Sequence, residues 1–294
     1  MADKRASEPL TARLGRLRPG RRWWVLPVAL ALLAAACGSG GDSDVAGVSE
    51  PTTTEAAAVS TPGESPPDPS TTLGPDESAG GETLQDLPAA GPASGPVVVS
   101  TADGETLTAE VFAPGAAVRG GVVLAHMRGA NKETWFDFAR TLAAEGYTAV
   151  AFDFRGYGGS SGDRDTDLDL DIAAVVDYLR SAGVDRVFVM GASMGGTATV
   201  FEGSQLDLAG LVSLSGPSSF AGLDALGAAA RLDEPALFVA AENDSPYADH
   251  ARQMGEAAGA EVVILSGHSH GTNLFGDHGP ELTDLLLNFL AAGS

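Results

Sequence analysis

The stretch "VFVMGASMGG", Val187 to Gly196, runs four apolar residues directly into a Gly-x-Ser-x-Gly turn. The same pattern occurs twice more, as "GGSSG" (Gly158 to Gly162) and as "GHSHG" (Gly267 to Gly271). In a chain with 38 glycines among 294 residues the pattern alone carries little weight, so its surroundings must choose among the three.

A serine exposed for attack at the edge of a sheet needs a strand immediately before the turn and a helix immediately after it. "GGSSG" lacks both, because Asp153 to Tyr157 separate it from the preceding strand and no helical pattern opens at Gly162. "GHSHG" follows a strand, but an acid and then a histidine should come after Ser269, and only His278 remains. "GASMG" meets both conditions. Val187 to Met190 supply the strand, and "GGTATVFEG" begins a helix without a loop. Gly191 and Gly195 stand where a Cβ would crowd the turn, and Gly196 lets the helix start lie close to the sheet. The positive end of that helix favours developing negative charge. A serine at this place can also serve as an N-cap, an alternative that geometry must decide.

Around this turn, apolar strands alternate with helical patterns. "VVVSTADGETLTAEVFAP" reads as two antiparallel strands around a turn at Ala102–Gly104. "GGVVLAH", "YTAVAFDF", "RVFVM", "LAGLVSLSG", "PALFVAAEND" and "EVVILSG" read as strands. "NKETWFDFARTLAAEG", "DTDLDLDIAAVVDYLRSAG", Tyr247–Ala258 and "ELTDLLLNFLAA" read as helices. Continuous apolar strands separated by helices predict an α/β fold. Its sheet is mostly parallel with an antiparallel N-terminal start, and helices cover both faces. Only about twenty residues separate Gly216 from Pro235, too few for a large cap domain.

On "VVLAHMRGANKETW", "AFDFRGYGGSSG", "GASMGG", "FVAAENDSP" and "SGHSHGTNLF", in that order, Val97 to Ala292 resembles the α/β-hydrolases. The short form is similar to the dienelactone-hydrolase-like and small serine esterase groups. The resemblance implies a catalytic triad. Ser193 is the nucleophile, and the acid is Asp244 just after a strand, with Glu242 ranked second. The base comes from the loop after the last strand, which offers His268 and His270. His270 is preferred because relatives carry this histidine directly before a small residue, here Gly271. One oxyanion donor is the backbone N–H of Met194. The other is that of Arg128, with Met127 as the fallback, since relatives often read His-Gly-x where this chain has His126-Met127-Arg128. His126 is expected to be structural. Serine needs such a base because its free hydroxyl is a poor nucleophile at neutral pH.

The alternating aspartates Asp163 to Asp171 lack the glycine and the final glutamate of a calcium loop and read as a solvated helix start. No Cys/His cluster has metal spacing and no glycine loop is placed to hold phosphate, so no metal or cofactor is implied.

The N-terminal third reads differently. "MADKRASEPLTARLGRLRPGRRWW" carries seven basic residues against two acids and precedes the apolar run Val25 to Ala36, which suits a secretion signal and is too short to span a bilayer. Cys37 is the only cysteine and ends this run in "LLAAACGSG", which resembles the lipobox of bacterial lipoproteins. Arg21 and Arg22 also permit a twin-arginine route. Residues 1–37 are therefore expected to be a signal peptide ending at a lipidated Cys37. Residues 38–96, rich in Gly, Ser, Thr, Pro and acids, are expected to be a disordered tether, and 97–294 the folded domain. Beyond residue 37 the chain keeps 10 basic and 37 acidic residues, a formal charge of −27. That balance argues against nucleic acid, and leaves the lipid as the means of membrane attachment. The expectation is an exported, lipid-anchored or secreted serine hydrolase acting on a small ester. A peptidase, a thioesterase or a non-catalytic binding lipoprotein on the same fold are the alternatives.

Overall fold

The computed structural model describes residues 91–115 and 117–293. The chain divides into two units, Met1–Asp76 and Glu77–Ser294, and every described residue belongs to the second. The expected signal segment, Cys37 and nearly all of the expected tether lie outside the described residues.

An eight-stranded sheet forms the centre. Its strands are β1 (Gly95–Ser100), β2 (Thr106–Phe112), β3 (Gly120–Ala125), β4 (Tyr147–Phe152), β5 (Val187–Ala192), β6 (Gly210–Leu214), β9 (Ala236–Ala241) and β10 (Glu261–Leu265). They lie in the order β1-β2-β4-β3-β5-β6-β9-β10. The β1–β2 and β2–β4 pairings are antiparallel and all others parallel. The expected α/β fold, with its antiparallel start, is met.

Strands β3, β4, β5, β6 and β9 are buried on both faces, which explains why they read as unbroken apolar runs. On one face, α1 (Phe136–Ala144) and α6 (Leu274–Ala292) pack Leu142, Leu282 and Leu286 against Leu124, Phe188 and Val239. On the other, α2 (Leu168–Ser181), α3 (Met194–Gly203) and α5 (Tyr247–Ala258) cover Val123, Val189 and Phe238. Burying side chains of this size contributes roughly 1.5–3 kcal/mol each.

Three elements were not legible. Between β6 and β9 the chain forms a two-strand hairpin, β7 (Ser219–Phe220) with β8 (Leu223–Asp224), and a short helix α4 (Ala225–Ala229). They are small, so the expected lack of a large cap holds. Helix α6 begins seven residues before the expected Glu281 and crosses a non-helical kink at His278, just ahead of Pro280. Proline favours an extended residue before it and cannot donate to the ladder, which is why the sequence reads as helix only from Glu281.

Glu202 sits on α3 with only 7 % of its surface exposed. Burial, together with the charges of Asp169 and Asp177, pushes its carboxyl up to about 7. A folded-state value above the unfolded one means that its contribution to stability is present at low pH and lost as pH rises through about 7. Glu202→Gln should therefore raise the melting temperature by a few degrees at pH ~8 and change it little at pH ~5, as read by calorimetry at both values.

Candidate active site

Ser193 follows β5 directly and precedes α3, with φ 48° and ψ −114°. A non-glycine residue rarely adopts this conformation, and it persists only when its surroundings impose it. Here the surroundings are three absent side chains. A Cβ on Gly191 would collide with the Gly195 carbonyl and the Thr199 hydroxyl, and one on Gly195 would lie 2.5 Å from the Ala125 carbonyl oxygen. One on Gly196 would lie 2.6 Å from Ser213 Oγ. The Ser193 N–H donates to the Leu214 carbonyl at 2.8 Å, tying the turn to β6.

The Ser193 side chain makes no capping bond. Its Oγ lies 2.7 Å from His270 Nε2. His270 Nδ1 in turn lies 2.9 and 3.1 Å from the two carboxylate oxygens of Asp244. A carboxylate only accepts, so Nδ1 carries the proton and donates it to Asp244. Nε2 is left with the lone pair that accepts from the serine hydroxyl. The Asp244 side chain is 8 % exposed and that of His270 28 %. The ring of Tyr247, the first residue of α5, lies 4.3 Å from the imidazole between centroids.

The alternatives weighed on sequence fall elsewhere. Glu242 is exposed and accepts from the Asn243 amide. His268 is exposed. Ser269 bonds to Asp277, and Ser160 bridges the Asp153 carbonyl, 2.7 Å, and the Thr108 N–H, 2.9 Å. The structure thus brings together Ser193, Asp244 and His270 and leaves His268 and Glu242 outside the hydrogen-bonded set.

The turn after β3 lies against the start of α3, since Ala125 and His126 are the nearest groups to Gly195. His126 is fully buried. The Phe154 N–H donates to its Nε2 at 3.1 Å, so Nδ1 holds the proton and donates to the Met127 carbonyl at 2.8 Å. Burial holds this imidazole below its ordinary range, in keeping with a neutral structural ring. Met194 opens α3, where backbone N–H groups lack intrahelical partners. The Arg128 side chain turns outward and pairs with Asp165 at 2.9 Å. The Met127 thioether accepts from Thr272 Oγ1 at 3.7 Å and so packs against the loop that carries His270.

Other supports were not legible in the sequence. Asp153 is fully buried at the end of β4 and accepts from Lys132 N–H at 2.8 Å, Lys132 Nζ at 2.5 Å and Thr108 Oγ1 at 2.9 Å. Burial pushes its carboxyl up, but the hydrogen bonds from Lys132 and Thr108 outweigh it and hold it below the usual carboxylate range. The aspartate run is not simply solvated. Asp171 is fully buried against Arg155, which also binds Asp103 and Asp167. Among the described residues no group of three or more His, Cys, Asp or Glu is placed to hold a metal ion.

Residues 111–241 match the model of the alpha/beta hydrolase family. A comparison with curated proteins gives no significant match. Among solved structures, an esterase of Pyrococcus furiosus aligns with a TM-score of 0.62 at 19% identity, over 74% of this chain and 97% of its own. The esterase RhEst1 from a Rhodococcus species aligns at 0.56 and 18% identity, over 68% and 99%. An alpha-beta serine hydrolase homologue from Coxiella burnetii aligns at 0.57 and 20% identity, over 66% and 95%. The fold is that of the α/β hydrolases.

Gly195→Ala should displace the turn after β3, because the added methyl meets backbone rather than a movable side chain. Overpacking of this kind costs about 1–3 kcal/mol, and denaturant unfolding should show a loss in that range.

Proposed function

On the α/β-hydrolase fold that this chain carries, we propose a serine hydrolase that cleaves carboxylic esters through an acyl-enzyme. The observation that supports it is His270, which bonds Ser193 through one ring nitrogen and Asp244 through the other. As the Ser193 hydroxyl attacks the ester carbonyl, its proton passes to His270 Nε2, and the buried Asp244 carboxylate stabilises the imidazolium. The N–H groups of Met194 and Arg128 receive the developing oxyanion. Collapse of the tetrahedral species returns the proton from Nε2 to the leaving alkoxide and leaves an acyl group on Ser193. Water, deprotonated by the same nitrogen, then releases the acid and restores the serine. With only the β7–β8 hairpin and α4 between β6 and β9, small or extended substrates suit the site better than long buried chains.

Ser193→Ala and His270→Ala should each lower kcat for short para-nitrophenyl esters by ~10³-fold or more, while His268→Ala and Ser269→Ala stay within about tenfold of wild type. A fluorophosphonate probe should label wild type and fail on Ser193→Ala. An active Ser193→Ala enzyme would overturn the mechanism.

The proposal extends to location: an exported protein held at the membrane by lipid on Cys37, with 38–96 as its tether. Support comes from the short apolar run and from the placement of the chain's only cysteine at its end. Cys37→Ser should move the protein from the membrane fraction to the soluble one with unchanged specific activity. Retention in the membrane fraction would count against lipidation.

A further inference from the structure

An open cleft runs past the turn after β3. Two grooves of about 470 and 430 Å³ share Gly129, Tyr157 and Arg164; the first adds Asn131, the second Arg128 and Asp165. Such volumes suit a small ligand. None of Ser193, Asp244 and His270 lines it, and two of its lining residues connect it to the proposed chemistry. The Tyr157 hydroxyl reaches the Met194 sulfur at 3.9 Å, and Met194 directly follows Ser193. Arg128 is the residue whose N–H is the proposed second oxyanion donor.

The charges of this cleft run against those of the chain. Two guanidinium groups face one carboxylate, in a protein of formal net charge −22. Arg128 is compensated, since its Nε bonds Asp165, which also accepts from the Tyr157 hydroxyl at 2.7 Å. Arg164 is not. Among the described residues it forms no ion pair, and its Nε donates to the Gly156 carbonyl at 2.7 Å while its guanidinium lies 4.8 Å from the Tyr157 ring centre. These two contacts engage Nε and the Tyr157 ring, and among the described residues neither terminal nitrogen has a hydrogen-bond partner. A guanidinium held in this way matches a carboxylate with two parallel hydrogen bonds.

We propose that this cleft selects esters bearing a carboxylate, which the terminal nitrogens of Arg164 bind while the ester carbonyl sits at Ser193. The inference rests on the ester-hydrolase reading for its kinetic readout, and binding can test it separately. Two substrate pairs differ only in charge: mono-para-nitrophenyl glutarate and its methyl ester, and para-acetoxybenzoate and its methyl ester. The first places the carboxylate on the acyl side, the second on the alcohol side. Wild type should favour the charged member of at least one pair in kcat/KM. Arg164→Ala should reduce that preference about fivefold, mainly through KM, as expected for an ion pair of ~1 kcal/mol at an exposed site. Arg164→Lys should keep part of it, and added salt should weaken it in wild type. No preference in either pair, or an equal preference in wild type and Arg164→Ala, would overturn the proposal. If wild type hydrolyses none of the four esters, the hydrolase reading fails instead. Calorimetric titration of glutarate then decides the cleft: binding weakened in Arg164→Ala sustains it, and equal or absent binding in both proteins overturns it.

Discussion

Three backbones meet at the end of β5, and they can meet only because Gly191, Gly195 and Gly196 present no side chains there. The turn after β3 approaches α3 at Gly195, the helix closes over β5 at Gly191, and β6 comes against Gly196 through Ser213. This close packing holds Ser193 at positive φ, with its N–H on β6 and its hydroxyl free of the helix. Strain of this kind costs on the order of 1–3 kcal/mol and is sustained by the surrounding sheet. Every other part of the site is placed relative to that turn. The two histidines nearest to it differ accordingly. His126 is locked between two backbone bonds, whereas His270 spends one nitrogen on Asp244 and keeps the other for the serine.

A second layer of charge fixes the loops that frame the cleft. Asp153 gathers Lys132 and Thr108, which joins the segment after the β3 turn to β2 and β4. Arg155 gathers Asp103, Asp167 and Asp171, which joins the β1–β2 turn to the start of α2. Removing one member of a buried pair leaves a charge without its partner, which costs about 3–5 kcal/mol. These clusters therefore act as fixed corners, and the arginines left exposed, Arg128 and Arg164, stand on the segments between them.

Much of this was legible because the relevant signals are local. A strand, a glycine turn and a helix lie within twenty residues around Ser193, and the flanking strand and helix, with the order of acid and histidine along the chain, separate "GASMG" from its two imitations. The order of strands and helices gave the sheet, since buried parallel strands are apolar throughout. The long-range pairings were less accessible. Nothing in the sequence near Lys132 indicates that it meets Asp153, or that Arg155 will draw Asp171 out of an otherwise polar run, because those contacts depend on the crossing of separate loops. The choice between His268 and His270 had the same limit. Two residues apart on one loop, they are separated in the fold by which of them faces Asp244. The start of α6 was missed because Pro280 and the kink at His278 interrupt its pattern.

The hydrogen-bonded trio has a consequence for how the protein can be followed as it forms. Ser193 and His270 lie 77 positions apart and Asp244 and His270 lie 26 apart, so no fragment ending before β10 contains the set. The loop bearing His270 is anchored late as well, through Ser269 to Asp277 and through His278 to the Ser266 carbonyl at 2.9 Å, both from the first turns of α6. Turnover, under the proposed mechanism, is thus a reporter of completed folding. A chain still emerging from a ribosome stays chemically silent until α6 has docked.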